Sequence, residues 1–85
     1  MSNKLEILKK RLIYRASYRG TKEMDILLSK FVNKYINKLD INQLLELEKF
    51  LNFEDEIIFN FYQNEIVEKK IDKNKISKLF KDFRF

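Results

Sequence analysis

Apolar residues recur along this chain at helical spacing. Leu5, Leu8, Leu12, Ile13 and Ala16 fall near one face while Lys9, Lys10, Arg11 and Arg15 lie mostly on the other, which predicts an amphipathic helix over about 4–17. A second stripe of Met24, Leu27, Leu28, Phe31, Tyr35 and Leu39, widened by Ile26, Val32 and Ile36, predicts a helix over about 21–37, the most buried of the set. Asp40 reads as the N-cap of a third helix at about 41–52, with Gln43 as its capping-box partner and Ile41, Leu44, Leu45, Leu47, Phe50 and Leu51 as its core face. After a polar break at 52–56 come Ile57, Ile58, Phe59, Phe61 and Tyr62. Taken alone, this run suits a buried strand equally well. Its acidic leader and the lack of a pairing strand favour a short helix over 56–63. Residues 64–72 read as a polar connection, and Ile76, Leu79, Phe80 and Phe83 place a last amphipathic helix from about 72 or 74 to 83. The expected architecture is all-α, a compact five-helix bundle filling residues 1–85 as a single domain with short links and antiparallel neighbours.

Composition agrees with helices and narrows the chemistry. Proline is absent and glycine occurs once in 85 residues, whereas turn-rich β folds lean on both. A chain this short buries only about 60–65% of its unfolded surface, which leaves no room for a deep cofactor cleft beside a core. With no cysteine, disulfides and thiolate metal sites are excluded. With no histidine, the commonest metal ligand and the commonest general base near neutral pH are missing too. The expectation is therefore a binding protein rather than an enzyme, with no catalytic residue and no metal. No apolar run approaches the roughly 20 residues a bilayer span needs. The opening residues lack the apolar stretch of a signal peptide and do not look like a transit peptide, so a cytoplasmic protein is expected, or a matrix protein if the source is eukaryotic.

The net charge of +5 is unevenly distributed. Residues 1–38 carry ten Lys/Arg against three acids, residues 39–68 one lysine against eight acids, and residues 69–85 seven Lys/Arg against two. Either the oppositely charged segments pack beside each other, or a basic patch faces a partner. The pattern leaves both open.

The most distinctive local sequence is Arg19-Gly20-Thr21-Lys22-Glu23, at the corner between the first two helices. Gly20 enters a left-handed conformation at no steric cost, which suits a helix C-terminus. Arg19, with Arg15 one turn earlier, can fork onto carboxylates or carbonyls, and Glu23 can accept from backbone N–H groups or a partner arginine. From the residues alone, the plainer reading is favoured: a C-cap, a first-turn acid and a solvated cation.

The stretch from Arg11 to Leu28 resembles the signature of the SdhE family, also known as succinate dehydrogenase assembly factor 2, with bacterial and mitochondrial members. Its hallmark is an RGxxE motif followed by a hydrophobic residue, Asp and a Leu-rich helix; Arg19, Gly20 and Glu23 fill the motif, and Met24, Asp25, Leu27 and Leu28 continue it. A second stretch is similar to the family's Leu-rich helix, acidic turn and aromatic segment of the form D-x-x-L-[FY]-x-W. Here it runs from Leu44 to Leu51 and on to Phe61, with Asp55 at the acidic position. Phe61 stands where tryptophan is usual and Glu56 where proline is common. The likeness covers about residues 5–63.

That resemblance implies a five-helix bundle that binds the flavoprotein subunit of succinate dehydrogenase, and in some bacteria fumarate reductase. It promotes the bond between a histidine of that subunit and the flavin 8α-methyl carbon. No cofactor is held stably by such a chain; the FAD is the client's. The resemblance points to Arg19, Gly20 and Glu23 as the contact core, flanked by Arg15 and Asp25, with Asp55 beyond. A basic nucleic-acid-binding domain is the alternative, suggested by a pI near 9.5 and basic first and last helices. It is opposed by the acidic middle and the lack of a recognition-helix pattern. A membrane-surface role for the first helix is weaker, because Leu5, Leu8 and Leu12 are more simply core. The aromatic set Phe50, Phe53, Phe59, Phe61 and Tyr62 is read as core filling rather than as a stacking platform.

Overall fold

A computed structural model describes residues 4–63 and 74–84. Five α-helices follow in order among them: α1 (Lys4–Ser17), α2 (Lys22–Tyr35), α3 (Ile41–Leu51), α4 (Asp55–Gln63) and α5 (Lys75–Asp82). The radius of gyration is 12.4 Å. The polar connection expected at 64–72 lies outside the described residues.

Side-chain caps fix where the helices start. Thr21 is the N-cap of α2 rather than its first residue, accepting from the Met24 N–H at 3.3 Å. Asp40 accepts from the Gln43 N–H at 2.9 Å while the Gln43 side chain accepts from the Asp40 N–H at 3.1 Å, the reciprocal capping box expected for α3. Asn74 and Ser77 repeat that arrangement at α5, at 2.9 and 3.0 Å. Ser77 is thereby buried with its polar groups satisfied.

Each helix contributes its stripe to one core. α1 gives Leu8, Leu12 and Ala16, α2 gives Met24, Leu27, Leu28, Phe31 and Val32, and α3 gives Leu44, Leu47, Phe50 and Leu51. α1 packs on both α2 and α3, and α5 packs on α3 and α4. Phe80 of α5 meets Phe31, Phe50 and Tyr62 with each pair of ring centroids 5.0 Å apart, inclined rather than stacked. The Tyr62 hydroxyl donates to the Phe83 carbonyl at 2.7 Å, tying the end of α5 to α4.

Several positions assigned to the core face outward instead. Ile41 and Leu45 of α3 and Ile26 of α2 are exposed, because each sits at the edge of its stripe where the neighbouring helix no longer covers it. In α4 only Ile58 is fully buried. Ile57, Phe61 and Tyr62 pack partly against the core and Phe59 lies at the surface, since α4 meets the bundle on one side only.

Candidate functional site: a corner where four helices begin or end

Two turns meet at one end of the bundle, the α1–α2 turn and the α3–α4 turn, and Arg19 joins them. Its Nε donates to Asp55 at 2.7 Å, one terminal nitrogen to the Leu51 carbonyl at 2.5 Å and the other to the Phe53 carbonyl at 2.6 Å. Its backbone N–H donates to the Asp25 carboxylate at 2.5 Å. The side chain is only 10% exposed. Leu51 is the last residue of α3, so its carbonyl lacks an intrahelical partner, and a planar cation is well suited to fill that role.

Arg19 is the innermost rung of a ladder. Arg11 donates to Glu48 at 2.6 Å, Arg15 to the side-chain oxygen of Asn52, and Arg19 to Asp55. The arginines are four residues apart, and their partners rise along the chain in the same order. α1 and α3 therefore run parallel, and both end at the corner. α2 and α4 start there, with Glu23, Asp25, Asp55 and Glu56 in their first turns, where carboxylates offset the positive helix ends.

The six residues singled out from the sequence are brought to this one end but divide into two groups. Arg15, Arg19 and Asp55 tie the two turns together, and Asp25 closes the α1–α2 turn on the Arg19 backbone. Gly20 and Glu23 face outward, and the Glu23 carboxylate makes no hydrogen bond or ion pair among the described residues. The reading of Arg19 as a solvated cation is thus corrected: its side-chain donors are taken by its own chain. The left-handed conformation expected of Gly20 is also corrected, since no glycine has positive φ. A Cβ at Gly20 would meet only the Asp55 carboxylate, at 3.4 Å, which is ordinary van der Waals contact.

The clasp separates two open depressions that share Asp55. One, of 490 Å³, is lined by Thr21, Glu23, Met24, Asp55, Glu56 and Phe59. The other, of 400 Å³, is lined by Tyr14, Arg15, Tyr18, Arg19, Glu54 and Asp55. Tyr14 and Tyr18 were not singled out from the sequence. Their signal was present as two aromatic residues four apart, opposite the core stripe of α1 and just past its end. Among the described residues no group of three or more carboxylates is placed to hold a metal ion.

The charge segmentation now has a partial account. Three of the arginines in the basic segment are engaged by α3, the α3–α4 turn and α4, so part of the asymmetry is internal packing. This takes Arg19 off any face that would follow a nucleic-acid backbone. Leu8 and Leu12 are buried and Leu5 packs against the core, so the apolar stripe of α1 is not a membrane-facing one.

Residues 10–84, which include both turns and all three rungs, match the family model described as flavinator of succinate dehydrogenase. The chain belongs to this family. Similar curated proteins carry the name succinate dehydrogenase assembly factor 2, mitochondrial. One from Scheffersomyces stipitis is 38% identical over 78 residues, covering 91% of this chain and 52% of that protein. One from Lodderomyces elongisporus is 33% identical over 79 residues, covering 88% and 48%. A Drosophila willistoni protein named succinate dehydrogenase assembly factor 2-B, mitochondrial, is 42% identical over 48 residues, covering 56% and 31%. The chain spans about half the length of the first two relatives. Within the family frame the motif has an inner and an outer part: its arginine braces the corner, while its glycine and glutamate face solvent.

Proposed function

We propose that this chain is an assembly factor that binds the flavoprotein subunit of succinate dehydrogenase and promotes covalent attachment of FAD to that subunit, with fumarate reductase as a further client. It acts as a chaperone and not as a catalyst. The bond forms within the client, and this chain favours the client conformation in which histidine and flavin are aligned. It does so only through its higher affinity for that conformation. Family membership and the names of the relatives support this reading. The structural observation that carries it is the braced corner presenting Gly20 and Glu23 to solvent. Gly20 admits close approach by a partner backbone, and Glu23 offers an unpaired carboxylate. Arg15, Arg19, Asp25 and Asp55 position that surface. Release after maturation calls for moderate affinity over an interface of about 1,600 Å² in total.

The test uses the flavoprotein subunit produced with this chain, with Gly20→Ala, or with neither, and reads covalent flavin by fluorescence in a denaturing gel. Covalent flavin is expected with the unaltered chain and a loss of most of it with Gly20→Ala, although that variant keeps its helicity. Equal flavin in all three samples rejects the function. Equal flavin for the variant and the unaltered chain, with less when neither is present, rejects the role of the glycine.

A further inference from the structure

Seven large hydrophobic side chains are exposed among the described residues, and five of them lie on one face. Ile7, Tyr14 and Tyr18 line the outer side of α1 and its end, and Ile41 and Leu45 continue the strip onto the edge of α3. Their exposures are 53, 65, 70, 50 and 45%. Ile7, Ile41 and Leu45 share one groove, and Tyr14 and Tyr18 line the depression beside the clasp. The strip therefore runs the length of α1, about 20 Å from its rise per residue. An apolar band of this length on a small chain marks an interaction surface. The two tyrosine rings lie 4.7 Å apart and touch each other rather than the core, and neither hydroxyl has a partner among the described residues. Tyrosines presented in this way, next to an arginine, have the composition of binding hot spots.

Charge indicates what covers the strip. Lys4 and Lys10 on α1 and Lys22 just past the corner are exposed and make no ion pair among the described residues. Glu48, Glu54 and Asp55 also lie along the strip, at Arg11 and beside the tyrosines. A dense array of phosphates would be repelled by these carboxylates. A protein surface with apolar side chains and a few spaced carboxylates satisfies both the lysines and the apolar strip. We infer that the outer face of α1, from Ile7 to Tyr18 with Ile41 and Leu45, docks an acidic, partly apolar surface of the client flavoprotein subunit. The strip ends at the RGxxE corner and extends the contact well beyond it. This inference rests on the proposed function, whose client it uses.

The experiment measures binding of the full chain to the isolated flavoprotein subunit by surface plasmon resonance at several salt concentrations. Tyr14→Ala/Tyr18→Ala is expected to weaken affinity at least tenfold, and Lys4→Glu/Lys10→Glu/Lys22→Glu to slow association and flatten its salt dependence. Lys38→Glu, in the α2–α3 turn, controls for net charge and should leave affinity within twofold. Circular dichroism confirms that each variant is folded; the charge variant alters only exposed side chains and remains decisive if the tyrosine variant unfolds. Binding by the unaltered chain with both strip variants within twofold of it overturns this inference and leaves the function standing. No binding by the unaltered chain rejects the function along with the inference. Strip variants that lose affinity for anionic vesicles or duplex DNA while binding the subunit normally overturn it in favour of those partners.

Discussion

Replacing Arg19 with alanine removes donors from Asp55 and from the Leu51 and Phe53 carbonyls in one step. Charge-assisted bonds at a largely buried guanidinium are worth more than surface pairs, so a loss of about 2–3 kcal/mol is expected. In a domain of this size that lowers Tm by roughly 10 °C or more, readable by circular dichroism. Arg19→Lys should recover little of it, because an ammonium cannot fork onto three acceptors at fixed angles. Glu23→Ala, at an exposed site with no partner, should leave Tm nearly unchanged while weakening the client contact. Arg19 and Glu23, two letters of one motif, are thus separable by a melting curve. Arg19 was recognisable as important from its place at the corner. Its inward direction was not legible, because its partners lie 32 to 36 residues away in the chain. Tyr14 and Tyr18 are hard to read for a related reason: helical periodicity marks aromatic residues on the apolar face, not those opposite it.

At the level of the helix, periodicity gave existence and caps gave boundaries. Asp40 and Gln43 could be read as a capping box because the device is local, and both bonds are present. Asp40→Ala should therefore cost about 1 kcal/mol, seen as a lower urea midpoint with unchanged slope, whereas Asp40→Asn should be nearly neutral. Stripe width was harder to read. Ile26, Ile41 and Leu45 fit the helical period yet lie beyond the reach of a neighbouring helix, and no single-sequence pattern states how much of a helix its neighbours cover. The aromatic run of α4 could be read as strand or helix for the same reason: burial on one side and a length of nine residues do not distinguish them.

Across the whole molecule, α5 closes the core through Phe80 and Phe83. Phe80→Ala should cost about 3–5 kcal/mol, since the ring is fully buried among Phe31, Phe50 and Tyr62. Against a total stability of roughly 5–10 kcal/mol for a small domain, that is a large share. The expected result is a broad, low-temperature melt with weakened near-ultraviolet signals. Arg11→Ala, by contrast, breaks only an exposed pair with Glu48 and should cost less than about 1 kcal/mol, an effect that fades in high salt. The five-helix architecture was legible because each helix carries its own stripe. The division of charge between internal rungs and free lysines was not, because it depends on α1 and α3 lying parallel.

The rungs between α1 and α3 are graded. Arg11 is 56% exposed at the outer end and Arg19 is 10% exposed at the corner. Transient opening should accordingly begin at the amino-terminal tip and travel inward, with amide deuteration fast near Ile7 and slowest approaching Ala16. The RGxxE corner is then the stiff end, so a partner docking there would forfeit little chain entropy and would meet the motif already shaped.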